Sequence, residues 1–271
     1  MTRIRIRPER LVVRFRAITR AAFCVILFGC AAATSAAAID EALVERLDLS
    51  TRAFRELMAS PDTEVPSALL RQAEAVVIFP RTINAAWGIG GQYGKGVALR
   101  RDPKSGKWSS PAFYTLGGIT IGPQIGGQAI DIVLVVVNAK GLDSLLKSKS
   151  TLGADAGVAV GPAGRNVAAT TDLRLKSEIY SYSRAKGLYI GLSLKGAVVA
   201  PDNSANADYY GSEKSAADIL LKTVGPHSKH DAALLRELRR HTSTGSWLPL
   251  TVTALAVALV AVAYAKSRAK R

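Results

Sequence analysis

The chain of 271 residues has only two cysteines, Cys24 and Cys30, and both fall within its first 30 residues. No thiol is left downstream to close a disulfide, ligate a metal or attack a substrate. This excludes a zinc ribbon, a papain-like site and a thioredoxin-like site. Histidine is almost as scarce, and none precedes His227, so most of the chain lacks the commonest general base. Net charge is also missing from the middle. Of the formal +15, residues 1–38 carry +6 and residues 229–271 another +6, leaving +3 between them. A nucleic-acid reader concentrates its basic excess on the folded domain, so no nucleic-acid partner is expected. The apolar fraction of 48% in turn excludes a mainly disordered chain.

What is present at the two ends is a membrane-targeting pattern. An Arg-rich stretch to Arg20 precedes the apolar run 21–29 and the small residues Ala31–Ala38. This order reads as a secretory signal over residues 1–38, cleaved after Ala38. An uncleaved anchor and a lipoprotein attached at Cys30, through Leu27-Phe28-Gly29-Cys30, are the alternatives. At the other end, residues 247–265 contain no charge and span about 28 Å as a helix, close to a bilayer core. Trp247 and Tyr264 near its ends suit the interfaces. The expected order is a domain over 39–228, a basic linker over 229–246, a transmembrane helix over 247–265 and a basic cytoplasmic tail over 266–271. The expected location is the periplasm, tethered to the inner membrane.

Between the ends, Leu43, Leu47, Phe54 and Leu57 recur at helical spacing, with charged residues between them. The period then changes to that of strands. Val76–Phe79, a Gly-broken hairpin over 87–99, then 108–116, 119–137, 156–160, 166–171, 179–183 and 188–199 read as strands joined by turns. A short helix is expected in 141–148 and another near 212–223. Strands placed this close predict an α+β fold with a strongly curved, mainly antiparallel sheet and flanking helices.

Chemical motifs are few. Gly88–Gly96 does not open a helix as a dinucleotide-binding turn must, so no cofactor is expected, and the glycines fit close-packed strands. Gly191–Lys195 lacks the last glycine of a nucleophile elbow around Ser193. His227, His230 and Asp231 lack further metal ligands nearby, and no metal site is expected. Asp131 is the odd residue, a carboxylate inside the apolar run 130–138. Unpaired burial there costs several kcal/mol. It is either held by a cation or main-chain N–H groups, or it is the polar floor of a pocket.

Residues 73–80 and 87–96, Gly122–Gln128, Thr151–Ala156, Gly161–Arg165, Tyr180–Arg184 and Tyr209–Gly211 stand in an order that resembles the SYLF domain family of lipid-binding proteins. The resemblance covers roughly residues 39–223. It implies a non-enzymatic module that binds phospholipid membranes. Some eukaryotic members also contact actin, but an export signal makes actin an unexpected partner for this chain. Candidate headgroup contacts are Arg100, Arg101, Lys104 and Lys107 on one turn, with Arg184 and Lys186 on another. The alternative is an envelope interaction protein that binds a protein partner.

Overall fold

The computed structural model describes residues 40–59, 64–162, 177–222 and 225–242. Helix α1 (Glu41–Ala59) starts where the Asp40 carboxylate accepts the Ala42 N–H at 3.0 Å, an N-terminal cap. Its apolar stripe of Leu43, Leu47, Phe54 and Leu57 is buried in the core of the domain rather than offered to a membrane. A short α2 (Ser67–Gln72) follows.

Strands β1 (Ala75–Arg100) and β2 (Ala112–Val136) form one long antiparallel ribbon, in register from Ala75↔Val136 to Ala98↔Ala112. The glycines of 87–99 therefore do not turn the chain back as a hairpin of their own. Instead the whole ribbon bends. A straight strand of 26 residues reaches about 85 Å. Here the Arg101 N–H donates to the Glu74 carbonyl at 2.7 Å, so the two ends of β1 meet. Gly96 makes this approach possible: a Cβ on it would stand 2.0 Å from the Ile78 carbonyl oxygen. Register shifts at Phe79/Thr82 and Trp87/Ile89 absorb the curvature.

The remaining strands flank β2. It carries β5 (Ile179–Ala185) along 131–136 and β7 (Val198–Pro201) along 114–117. Strand β3 (Ser150–Thr151) pairs with β7, and β6 (Leu188–Tyr189) pairs with β5. All these pairs are antiparallel; β4 (Val158–Val160) runs parallel to β5. Helix α3 (Ala139–Leu146) is capped by Asn138, which accepts the Gly141 N–H at 2.9 Å. Helices α4 (Asn203–Tyr210), α5 (Ala216–Lys222) and α6 (Lys229–Thr242) complete the domain. Val76–Phe79, Val97–Leu99, Phe113, Tyr114 and Ile132–Val136 form the centre of the core.

Two expectations change. Residues 229–242, read as a basic linker, form α6, which buries Leu234, Leu235 and Leu238 while its arginines lie on other faces. Among the described residues no helix is long and apolar enough to cross a membrane, so the curved α+β sheet stands without the transmembrane helix expected beside it. The longest described helix, α1, interrupts its apolar stripe with Glu41, Glu45, Arg46, Asp48, Arg52, Arg55 and Glu56, which a bilayer core does not accept. The segments 1–38, 166–171, 247–265 and 266–271 lie outside the described residues.

Candidate functional site

The turn 100–107 is held by its own acid. Asp102 accepts N–H groups from Lys104 at 3.0 Å and Ser105 at 2.6 Å, and these bonds, Ser105 first, hold its carboxyl below the ordinary range. Arg101 is spent on the main chain, donating to the carbonyls of Arg71 at 2.5 Å and Gly106 at 3.3 Å. Arg100 is half-buried, whereas Lys104 and Lys107 point to solvent. The second basic turn divides in the same way. Arg184 pairs with Glu56 on α1, while Lys186 stays exposed at the tip, where Lys186 and Gly187 both have positive φ. Of the six candidate cations only Arg184 enters an ion pair among the described residues, and Lys104, Lys107 and Lys186 are the exposed ones.

Asp131 faces Arg184 in the β2–β5 register, yet the two do not pair. Its carboxylate accepts the Arg81 N–H at 2.9 Å. Arg81 lies in the bulge of β1 with φ of +47°, a left-handed conformation unusual for a residue with a Cβ. Asp131 thus holds a strained bulge by hydrogen bonding.

The residues that carry the family resemblance mostly hold the fold. Tyr182 donates to the Pro162 carbonyl at 3.0 Å, and a Cβ on Gly161 would stand 2.2 Å from the Tyr182 ring. Tyr210 donates to the Pro111 carbonyl at 2.7 Å, and Tyr209 packs edge-on against Phe113 at 5.1 Å. Burial raises the Tyr209 hydroxyl to about 12, with its Ser228 bond opposing the shift. Gly211 ends α4 in the left-handed conformation. His227, His230 and Asp231 belong to a helix start. Asp231 accepts the N–H groups of His227 and Ser228, and the Ser228 hydroxyl accepts from His230, a reciprocal cap that Ser228-x-x-Asp231 spells in sequence. Among the described residues no cluster of three His, Cys, Asp or Glu is placed to hold a metal.

The bent ribbon creates a groove that no sequence motif marked. Ile83 and Tyr93, ten residues apart on β1, line it together with Leu49 of α1, around a volume of about 290 Å³. Arg81, Lys95 and Glu45 stand in its walls. The signal in the sequence was an absence: residues 75–130, outside the turn at 101–111, contain no Asp or Glu.

Residues 117–241 match the family described as Ysc84: Las17-binding protein actin regulator. The matched segment runs from the first third of β2 to the last turn of α6. SH3 domain-containing YSC84-like protein 1 of Rattus norvegicus is 30% identical over 64% of this chain and 51% of its own length. The human protein of that name is 30% identical over 63% of this chain. LAS seventeen-binding protein 3 of Saccharomyces cerevisiae is 29% identical over 61% of this chain and 36% of its own length. The chain spans about half the length of the first of these relatives. Over residues 117–241 the chain matches the Ysc84, or SYLF, domain family. The yeast relative is named for binding LAS seventeen, and a family described by Las17 binding and actin regulation overturns the expectation that actin is an improbable partner.

Proposed function

We propose that this chain is a non-enzymatic binding module whose partner is a protein. The observation that carries the reading is the match of residues 117–241 to a family described by a protein partner and by actin regulation. The interior supports it: the hydroxyls of Tyr114, Tyr182 and Tyr210 donate to main-chain carbonyls, and these side chains serve structure. The test is chemical cross-linking of the full chain in its native cells, followed by purification and reconstitution with the captured protein, with filamentous actin co-sedimentation as a parallel arm. A single partner that rebinds the purified chain supports the reading. Absence of any rebinding protein and of actin co-sedimentation overturns it.

A phospholipid surface is the second reading, favoured by Lys104, Lys107 and Lys186, exposed cations without ion-pair partners among the described residues. Each such cation near an anionic leaflet is worth about 1 kcal/mol. Sedimentation with anionic vesicles that weakens in a Lys104→Glu, Lys107→Glu chain supports it, and equal sedimentation of the variant sinks it. The basic, apolar and small-residue order of residues 1–38 supports export of the domain.

A further inference from the structure

Three features converge on the groove between α1 and the bent ribbon. The first is exposed apolar surface: Ile83 is 60% and Tyr93 52% exposed, although the flanking β1 residues Thr82, Asn84, Gln92 and Gly94 are buried. Ile119, 72% exposed, extends the same face, because it pairs with Gly91 while Tyr93 pairs with Gly117. The second is charge. Arg81 and Lys95 are exposed and form no ion pair among the described residues, and Arg46 beneath them is already neutralised by Asp202 at 2.9 Å. Among the described residues Glu45 is the one carboxylate in the groove wall. The third is rigidity: Arg81 is held with positive φ by its bond to Asp131. Strained residues kept by a dedicated partner occur where aim matters.

We propose that this groove docks a protein segment that presents an aliphatic or aromatic anchor flanked by carboxylates. The anchor enters between Leu49, Ile83 and Tyr93, and the carboxylates meet Arg81 and Lys95. The volume of about 290 Å³ accepts one or two side chains. A bilayer is disfavoured, since an anionic leaflet is a broad sheet of charge that also covers Glu41 and Glu45, both exposed on α1, whereas a segment sets its carboxylates against Arg81 and Lys95 alone. The inference rests on the reading that the partner is a protein, and it names the surface and the chemistry recognised.

The experiment uses the full chain and a fluorescent peptide in which glutamates flank a Phe-Leu pair, with its glutamine counterpart and vesicles rich in phosphatidylserine as further probes. The acidic peptide is expected to bind in a salt-dependent manner. Lys95→Glu is expected to weaken it about tenfold, as reversal converts an attraction into a repulsion, and the glutamine peptide is expected to bind more weakly by a similar factor. Lys149→Glu, at an exposed lysine outside the groove lining, keeps wild-type affinity, and circular dichroism confirms that each variant is folded. Unchanged binding by Lys95→Glu and Tyr93→Ser, equal binding of the glutamine peptide, or no peptide binding overturns the proposal. Lys95-dependent binding to vesicles alone assigns the face to a membrane and overturns it too. If the partner captured by cross-linking still rebinds the Lys95→Glu chain at full strength, the groove proposal fails while the protein-partner reading survives.

Discussion

Asp131 on β2 accepts the main-chain N–H of Arg81 on β1 at 2.9 Å, and so fixes the bulge at which the ribbon begins to bend. Asp131→Ala removes a charged acceptor from a strained residue. A loss of about 1.5–3 kcal/mol is expected, as for hydrogen bonds to charged groups. Urea denaturation measures it, and Asp131→Asn, which keeps a carbonyl acceptor, is expected to recover part of the loss. Equal stability of the alanine chain and the wild type refutes this role.

Gly96 and Gly117 form a matched pair of tests. A Cβ on Gly96 collides with the Ile78 carbonyl, whereas a Cβ on Gly117 meets nothing within 4 Å. Gly96→Ala is expected to destabilise by about 3 kcal/mol or more, the upper range for overpacking against rigid neighbours. Gly117→Ala is expected to be neutral or slightly stabilising through the unfolded state. Thermal melts of the two variants side by side decide the matter.

Arg46 and Asp202 join α1 to the start of α4. Burial opposes the charge on Asp202, but the Arg46 guanidinium, the Ala205 N–H and the Ser204 hydroxyl outweigh it and hold its carboxyl below the ordinary range. Asp202→Ala strands Arg46, itself buried over the Phe113 ring, and removes the cap of α4. A loss of about 3–5 kcal/mol is expected, read from equilibrium unfolding. Arg46→Met, which leaves no buried cation, is expected to cost less.

His241 gives the domain a mild acid sensitivity. Burial lowers its ring pKa from the ordinary 6.5, Glu237 and Glu64 oppose that shift, and Arg240 adds to it. The unfolded chain therefore takes up the proton first. Stability is full above 6.5 and declines as pH falls from 6.5 through the depressed folded value. Asp202 and Glu178, whose folded values are lowered, withdraw their contributions only in the more acidic carboxylate range. Urea midpoints measured across mildly acidic pH are expected to fall in the wild type and to stay flatter in His241→Gln.

The sequence made the elements of this fold legible where period was clean. The stripe Leu43, Leu47, Phe54, Leu57 marked α1, and Val76–Phe79 marked a buried strand. It hid the path of β1, because glycines at 88–96 are equally the mark of a turn and of a strand that something must approach closely. Only the position of Ile78 against Gly96 separates these meanings, and that contact is tertiary. The basic turns were visible as charges, but which cations stay free depends on partners far along the chain, Arg71 for Arg101 and Glu56 for Arg184. The groove has no motif in the sequence because its lining comes from two stretches of β1 and from α1, brought together by the bend. Its one trace was the missing acids. Ser228-x-x-Asp231 spells a cap, which the neighbouring His227 and His230 disguise as a metal cluster.

The joint between Glu74 and Arg101 bears on the order in which the chain acquires its structure. β1 can pair with nothing until β2 exists, and β2 is complete only at Val136. A chain emerging from the ribosome therefore carries an apolar segment without its partner strand while some thirty-five further residues are made, at roughly 5–20 residues per second a delay of a few seconds. The ribbon must then zip before its ends can be drawn together. Slow, late closure is expected, with Val76–Phe79 the stretch that a holdase chaperone finds first.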